Sequence, residues 1–143
     1  MEKIRLIESQ DDIRRCYDVI HELRTHLSMD EFVSQVRRQR DSQGYKLACL
    51  EDAGDMAAVT GFRFIEMLAW GRAMYVDDLV TAARARSKGY GGRLFDLLVE
   101  LAKKEGCAQF HLDSGVQRHG AHRFYLQKRM DITSYHFAMN LTG

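Results

Sequence analysis

Seven residues, Arg86, Ser87, Lys88, Gly89, Tyr90, Gly91 and Gly92, stand between the apolar run Ala73–Thr81 and an amphipathic run that begins at Gly89. Closely spaced glycines let a backbone turn tightly and aim several N–H groups outward, and a helix starting there adds partial positive charge. Phosphate is the natural ligand of such a turn. Its spacing is neither G-x-x-x-x-G-K-[ST] nor G-x-G-x-x-G, so the nucleotide-hydrolase and dinucleotide-binding readings lose ground. Glycines at this place also serve close helix-to-sheet packing without any ligand.

Two adjacent carboxylates, Asp77 and Asp78, interrupt the apolar run just before the turn. Strand side chains alternate, so in a regular strand the two point to opposite faces and one alone faces a given centre. His111, His119 and His122 suit proton relay or carboxylate binding. They have no partner at metal-ligand spacing, so no metal is expected. Cys16, Cys49 and Cys107 are odd in number and far apart, which suggests reduced thiols and neither a disulfide framework nor zinc.

The elements that must hold these groups follow from periodicity. Ile4–Leu6 reads as a first strand, and Ser9, Asp11 and Asp12 open a helix whose apolar stripe runs through Ile13, Cys16, Tyr17, Ile20, Leu23 and Leu27. Ser28 or Asp30 caps a second helix carrying Phe32, Val33 and Val36, expected to dissolve within Gln39–Gly44. Tyr45–Leu50 and Met56–Ala69 form a hairpin across Glu51–Asp55, and Ala73–Thr81 is a fourth strand after the turn Trp70–Arg72. Gly89–Lys104 is the central helix, with Leu94, Leu97, Leu98, Leu101 and Ala102 at helical spacing and Gly106 as its stop. Ala108–Asp113, Gln117–Lys128 and Ile132–Leu141 complete the order βααβββαβαβ as strand, helix and strand.

The 143 residues suit one domain over 1–143, and 45% apolar with 29% charged residues is ordinary globular composition. A net charge of +1 spread along the chain offers no field for nucleic acid, so any anion site is local. No run of about 18 apolar residues suggests a membrane span, and the start MEKIRLIESQ has no signal-peptide core, so a cytoplasmic protein is expected. Open sheet edges in so small a domain are compatible with a homodimer.

Arg86, Gly89 and Gly91 match [QR]-x-x-G-x-[GA], the signature of the GNAT N-acetyltransferases, which this sequence resembles. Tyr75–Thr81 looks like that family's fourth strand and His122–Tyr125 like its later motif, so the resemblance spans roughly Val59–Leu141. It implies an α/β (α+β) fold with a mixed sheet of six to seven strands flanked by about four helices. It also implies acetyl-CoA as co-substrate, its pyrophosphate on the amides of Arg86–Gly92 and its pantetheine along Leu79, Val80 and Thr81. An amide at Leu79 would then polarise the thioester carbonyl.

Acetyl transfer needs a neutral amine, and therefore a base or a water path. The resemblance points to a fourth-strand carboxylate, as in the spermidine/spermine acetyltransferases; Asp77 is favoured over Asp78 because it shares a face with Leu79 and Thr81 unless a bulge intervenes. The same resemblance makes Tyr125 the acid that protonates the coenzyme A thiolate. Two departures stand out: Arg118 replaces a common asparagine, and Arg129 and Met130 replace a common glycine and aromatic. The acceptor amine stays open between small molecules, polyamine-like ones included, and protein amines; Asp30, Glu31 and Glu66 are either attractors of a cation or solvated surface. A domain that binds acetyl-CoA without turnover, as a sensor, is the alternative, and the intact Tyr125 and acidic strand argue against it.

Overall fold

A computed structural model describes residues 1–142. In chain order the elements are β1 (Glu2–Ile7), α1 (Gln10–Arg15), α2 (Tyr17–His21), α3 (Met29–Gln43), β2 (Lys46–Asp52), β3 (Asp55–Met67), β4 (Gly71–Thr81), α4 (Tyr90–Lys104), β5 (Gln109–Leu112) and α5 (His119–Gln127), with a short 3-10 turn at Ala83–Ala85. The strands form one five-stranded sheet in the order β1-β2-β3-β4-β5. β1 through β4 are antiparallel neighbours. The amide of Ala108 reaches the carbonyl of Arg72 at 2.8 Å, so β5 and β4 start side by side and run parallel.

Two compact units make up the chain, Met1–His111 and Leu112–Gly143. In the first, Leu47–Leu50 and Met56–Phe62 are buried without alternation, which requires cover on both sheet faces. Phe32, Val33 and Val36 of α3 with Ile13, Cys16, Val19 and Ile20 supply one layer, and Leu94, Phe95, Leu98 and Ala102 of α4 supply the other. Ala53 and Gly54, both at positive φ (53° and 86°), make the two-residue turn that closes the β2–β3 hairpin.

Three sequence expectations are corrected. The first helix is not continuous: Cys16, fully buried, separates α1 from α2, and its N–H bonds Ile13 in a tightened i−3 turn at 3.1 Å. After His21 the chain leaves the helix, held by the Tyr17 hydroxyl donating to the Leu27 carbonyl at 2.7 Å. α3 instead runs through the polar stretch to Gln43, because the Ser28/Glu31 capping box starts it firmly and left-handed Gly44 (φ 69°) ends it. The expected strand Ile132–Leu141 joins no ladder, so the sheet has fewer strands than the six to seven anticipated.

Candidate active site

The register between β3 and β4 slips in the middle. Gly61 opposes Asp78 but Phe62 opposes Val76, which leaves Asp77 as the extra residue of a β-bulge. Isolated Gly61 inside an otherwise strand-like run is the sequence signal for this kink. The bulge undoes the simple alternation that would send the two aspartates to opposite faces. Asp77 lines a polar cavity of about 580 Å³ with Gln35, Arg38, Gln39, Ser42 and Gln43 of α3, while Asp78 reaches Tyr45 at the end of that same helix.

The two carboxylates sit in different settings. Asp78 is saturated: Oδ1 accepts from Arg24 Nε at 2.8 Å and Oδ2 from the Tyr45 hydroxyl at 2.6 Å. Its carbonyl accepts from buried Thr60 at 2.7 Å. Asp77 has one charged partner, Arg63 Nε at 2.9 Å on Oδ1. Burial raises its pKa above the ordinary aspartate value, against the opposing pull of Arg63 and with a push from Asp78. Of the pair, Asp77 is the carboxylate suited to take up a proton.

Tyr45 reaches Asp78 only because residue 61 is glycine. A Cβ there would lie 1.7 Å from the Tyr45 hydroxyl oxygen. Burial, then the Asp78 charge, push the Tyr45 hydroxyl well above its ordinary pKa, so it stays a donor. Arg24, Tyr45 and Arg63 are partners of the two aspartates that sequence reading missed. Their contacts span 54, 33 and 14 residues, and no local pattern encodes such pairs.

β4 ends against the glycine turn. With Ala108 beside Arg72, the four residues of β5 run out near the middle of β4, so Asp78–Thr81 extend past its end. Thr81 faces α4, where a Cβ on Gly91 would come within 2.9 Å of its Oγ1. Only a glycine allows the helix start to approach the strand so closely. Ser87 (φ 70°) and Gly89 (φ 79°) are both left-handed and curl the chain into α4.

No side chain caps the N-terminus of α4 and no acidic residue occupies its first turn. Helix geometry turns those first N–H groups outward without intrahelical acceptors. Around them, Glu22 accepts from the Ala83 amide at 2.9 Å and lies 4.0 Å from Arg86, and Arg84 donates to the Met56 carbonyl at 2.9 Å. Arg93 packs 5.0 Å over the Tyr90 ring and pairs with Glu2 at 2.7 Å, while the Tyr90 hydroxyl donates to Asp52. Tethered on both sides, a cationic, amide-rich turn of this shape fits a pyrophosphate.

Tyr125 lies on α5 in the second unit, half-buried, and burial raises its hydroxyl above the ordinary tyrosine value while Arg118 pulls the other way. A phenol so shifted remains protonated, as an acid must. Arg129 just beyond is left-handed at φ 68°, so an arginine occupies a conformation that suits glycine. His122 contacts the Gly115 carbonyl at 2.7 Å, and in the first unit His111 stacks on Trp70 at 3.5 Å, so both rings are held by structural contacts. Burial pushes the thiols of Cys16 and Cys49 up to about 12 and about 11.

Comparison with known proteins places the geometry in context. Residues 8–131 match the model of the acetyltransferase (GNAT) family. An uncharacterised N-acetyltransferase of Bacillus subtilis (strain 168), YhdJ, is 33% identical over 135 residues, 94% of this chain and 95% of that protein. Among solved structures, a ribosomal-protein-alanine N-acetyltransferase from Brucella melitensis biovar Abortus 2308 superposes with TM-score 0.84 at 15% identity, over 99% of this chain and 100% of the other. An aminoglycoside N-acetyltransferase in complex with CoA gives TM-score 0.85 at 8% identity, over 98% and 94%. The last two likenesses concern the fold.

Proposed function

Because this chain belongs to the acetyltransferase (GNAT) family and is an acyltransferase, we propose that it moves an acetyl group from acetyl-CoA to a primary amine of a small molecule by direct attack. The observation that carries the choice of base is the contrast between Asp78, saturated by Arg24 and Tyr45, and Asp77, which lines the polar cavity with its pKa raised. The amides of Arg86–Gly92 hold the pyrophosphate at the α4 N-terminus, and the backbone of Leu79, Val80 and Thr81 pairs with the pantetheine arm. Acetyl-CoA supplies the activated thioester. Asp77 takes the ammonium proton, directly or through one water, and frees the nitrogen lone pair to attack the thioester carbon. The Leu79 amide steadies the oxyanion. As the C–S bond breaks, Tyr125 gives its proton to the departing thiolate, and the second proton of the now cationic nitrogen passes back to the Tyr125 phenolate, directly or through water, leaving a neutral amide and a free thiol. Gln35, Gln39 and Ser42 offer neutral donors and acceptors beside Asp77, which suits a polar amine better than an apolar one.

The whole chain works on this reading as one catalytic domain, in the cytoplasm and as a homodimer. The test is thiol release from acetyl-CoA over a panel of polyamines, amino sugars, aminoglycosides and peptide amines, run with the Asp77→Asn and Tyr125→Phe variants and with calorimetry of coenzyme A. Turnover on one small-amine class, lost in both variants while coenzyme A still binds, is the expected result. Turnover on peptides alone would move the acceptor to proteins. Tight binding without turnover on any amine would leave a sensor.

A further inference from the structure

We propose that the acceptor carries an anionic group, a carboxylate or a phosphate, on the same molecule as its amine, and that Arg38 binds this group across the cavity from Asp77. The proposal rests on the small-molecule amine reading above and deepens it to a substrate class. Gln35, Arg38, Gln39, Ser42 and Gln43 recur at three- and four-residue steps, so they form one face of α3, beside the stripe of Phe32, Val33 and Val36 that enters the core. That face and Asp77 of β4 wall the polar cavity of about 580 Å³, a size that holds small ligands. Its neutral members are tied down along the helix: Gln35 Nε2 donates to Gln39 Oε1 at 2.9 Å, and Ser42 Oγ to the Arg38 carbonyl at 2.8 Å. Arg38 is the cation of the wall. Its guanidinium donates to Ser34 Oγ at 2.8 Å and meets no carboxylate among the described residues.

The charges around the cavity select the substrate. Asp77 is the carboxylate in the wall, with Arg63 at 2.9 Å on Oδ1. Its neighbour Asp78 is taken by Arg24 and Tyr45. Glu31 closes the Ser28 capping box instead of facing a ligand, and with Asp30 and Glu66 it stands outside the cavity wall. The cavity therefore offers one carboxylate, already shared with Arg63, and one guanidinium without a counter-charge. A polyamine brings two or more cations, and the second would meet Arg38 with no carboxylate to neutralise it. An amine with an anionic substituent matches both ends. Its ammonium meets Asp77, and its anion takes the Arg38 guanidinium, whose planar fork of donors suits carboxylate and phosphate alike. Gln35, Gln39 and Gln43 are left to hydrogen-bond hydroxyl or carbonyl groups between the two ends. Holding the acceptor at both charges also fixes where its nitrogen lies relative to Asp77.

The experiment compares acceptors in matched pairs that differ in the anion: ethanolamine against its phosphate ester, and the amides of short ω-amino acids against the free acids, with spermidine as the polycation. Values of kcat and KM come from acetyl-CoA-dependent thiol release by the full chain and by its Arg38→Gln, Arg38→Lys and Arg38→Glu variants. The expected result is a preference of about tenfold or more in kcat/KM for the anionic member of a pair, the worth of one charge-assisted bond. Arg38→Gln should erase the preference by raising KM, Arg38→Lys should keep part of it, and Arg38→Glu should turn it toward spermidine. Arg38 is exposed, so the variants should melt with the wild type, which ties the effect to recognition. A preference confined to the phosphate ester, or to the free acids, supports the proposal and names the anion. Equal use of both members, equal loss of both in Arg38→Gln, or a wild-type preference for spermidine overturns it and leaves small-amine transfer standing. No turnover of any small amine, with coenzyme A still bound, overturns the small-amine reading and this proposal with it.

Discussion

Asp77 and Asp78 are neighbours in sequence and differ in what surrounds them, so their substitutions should separate. Asp77→Asn is expected to lower kcat by about 10²–10⁴ with coenzyme A affinity unchanged, the usual worth of a positioned base. Asp78→Asn should instead weaken the tie to Arg24 and Tyr45, visible as a lower urea midpoint with a smaller loss of kcat. The pH profile follows from the signs. A raised Asp77 is charged only above the usual aspartate range, so kcat/KM should climb through a limb displaced upward from 3.8. On the proposed mechanism Tyr125 acts while protonated, so its raised value would set the falling limb above pH 10. Stability carries the same mark: between the unfolded and the raised folded pKa, the native state holds a proton that the unfolded chain has lost. Folding stability therefore falls as pH rises through that window, and Asp77→Asn should remove this fall in urea titrations across pH.

At the scale of elements, the β3–β4 bulge and the cap geometry carry the testable load. Gly61→Ala drives a methyl into Tyr45, so it should destabilise by about 1–3 kcal/mol and disturb the Asp78 setting, read by chemical denaturation together with activity. Arg129→Gly relieves a left-handed arginine and should raise stability by up to about 1 kcal/mol without changing the family activity, a melting experiment. Much at this level was legible in the sequence. The N-cap at Ser28 and the glycine turn before α4 use short-range chemistry that a reader can see. The break at Cys16 was not legible, since the apolar stripe continues across it and only packing decides that the helix turns there.

For the whole molecule, folding and ligand binding are linked. Coenzyme A seated on the α4 turn should stabilise the chain by about 2.7 kcal/mol at a hundred times its Kd, and Gly91→Val, which forces a side chain against Thr81, should abolish the corresponding shift in melting temperature. The cluster that joins β1, α1 and β2 has the opposite pH sign from Asp77. Arg5 bonds Asp12 at 2.7 Å and holds that carboxyl below its ordinary value, so the contribution is complete above the unfolded pKa and fades as pH falls through the folded one. Arg5→Met should flatten the acid limb of stability.

The sequence by itself determined the acetyltransferase family, the α/β class, the glycine turn that opens α4 and the adjacent pair of aspartates before it. These are local patterns of period, glycine and charge, readable within about a dozen residues. Tertiary structure decided which aspartate keeps a saturated shell, because Arg24, Tyr45, Gly61 and Arg63 meet Asp77 and Asp78 across long stretches of chain. It also decided that the period-two segment at 132–141 forms no ladder within one chain. Alternation announces a strand; a ladder also needs a neighbouring edge within reach, and that is a property of the folded molecule.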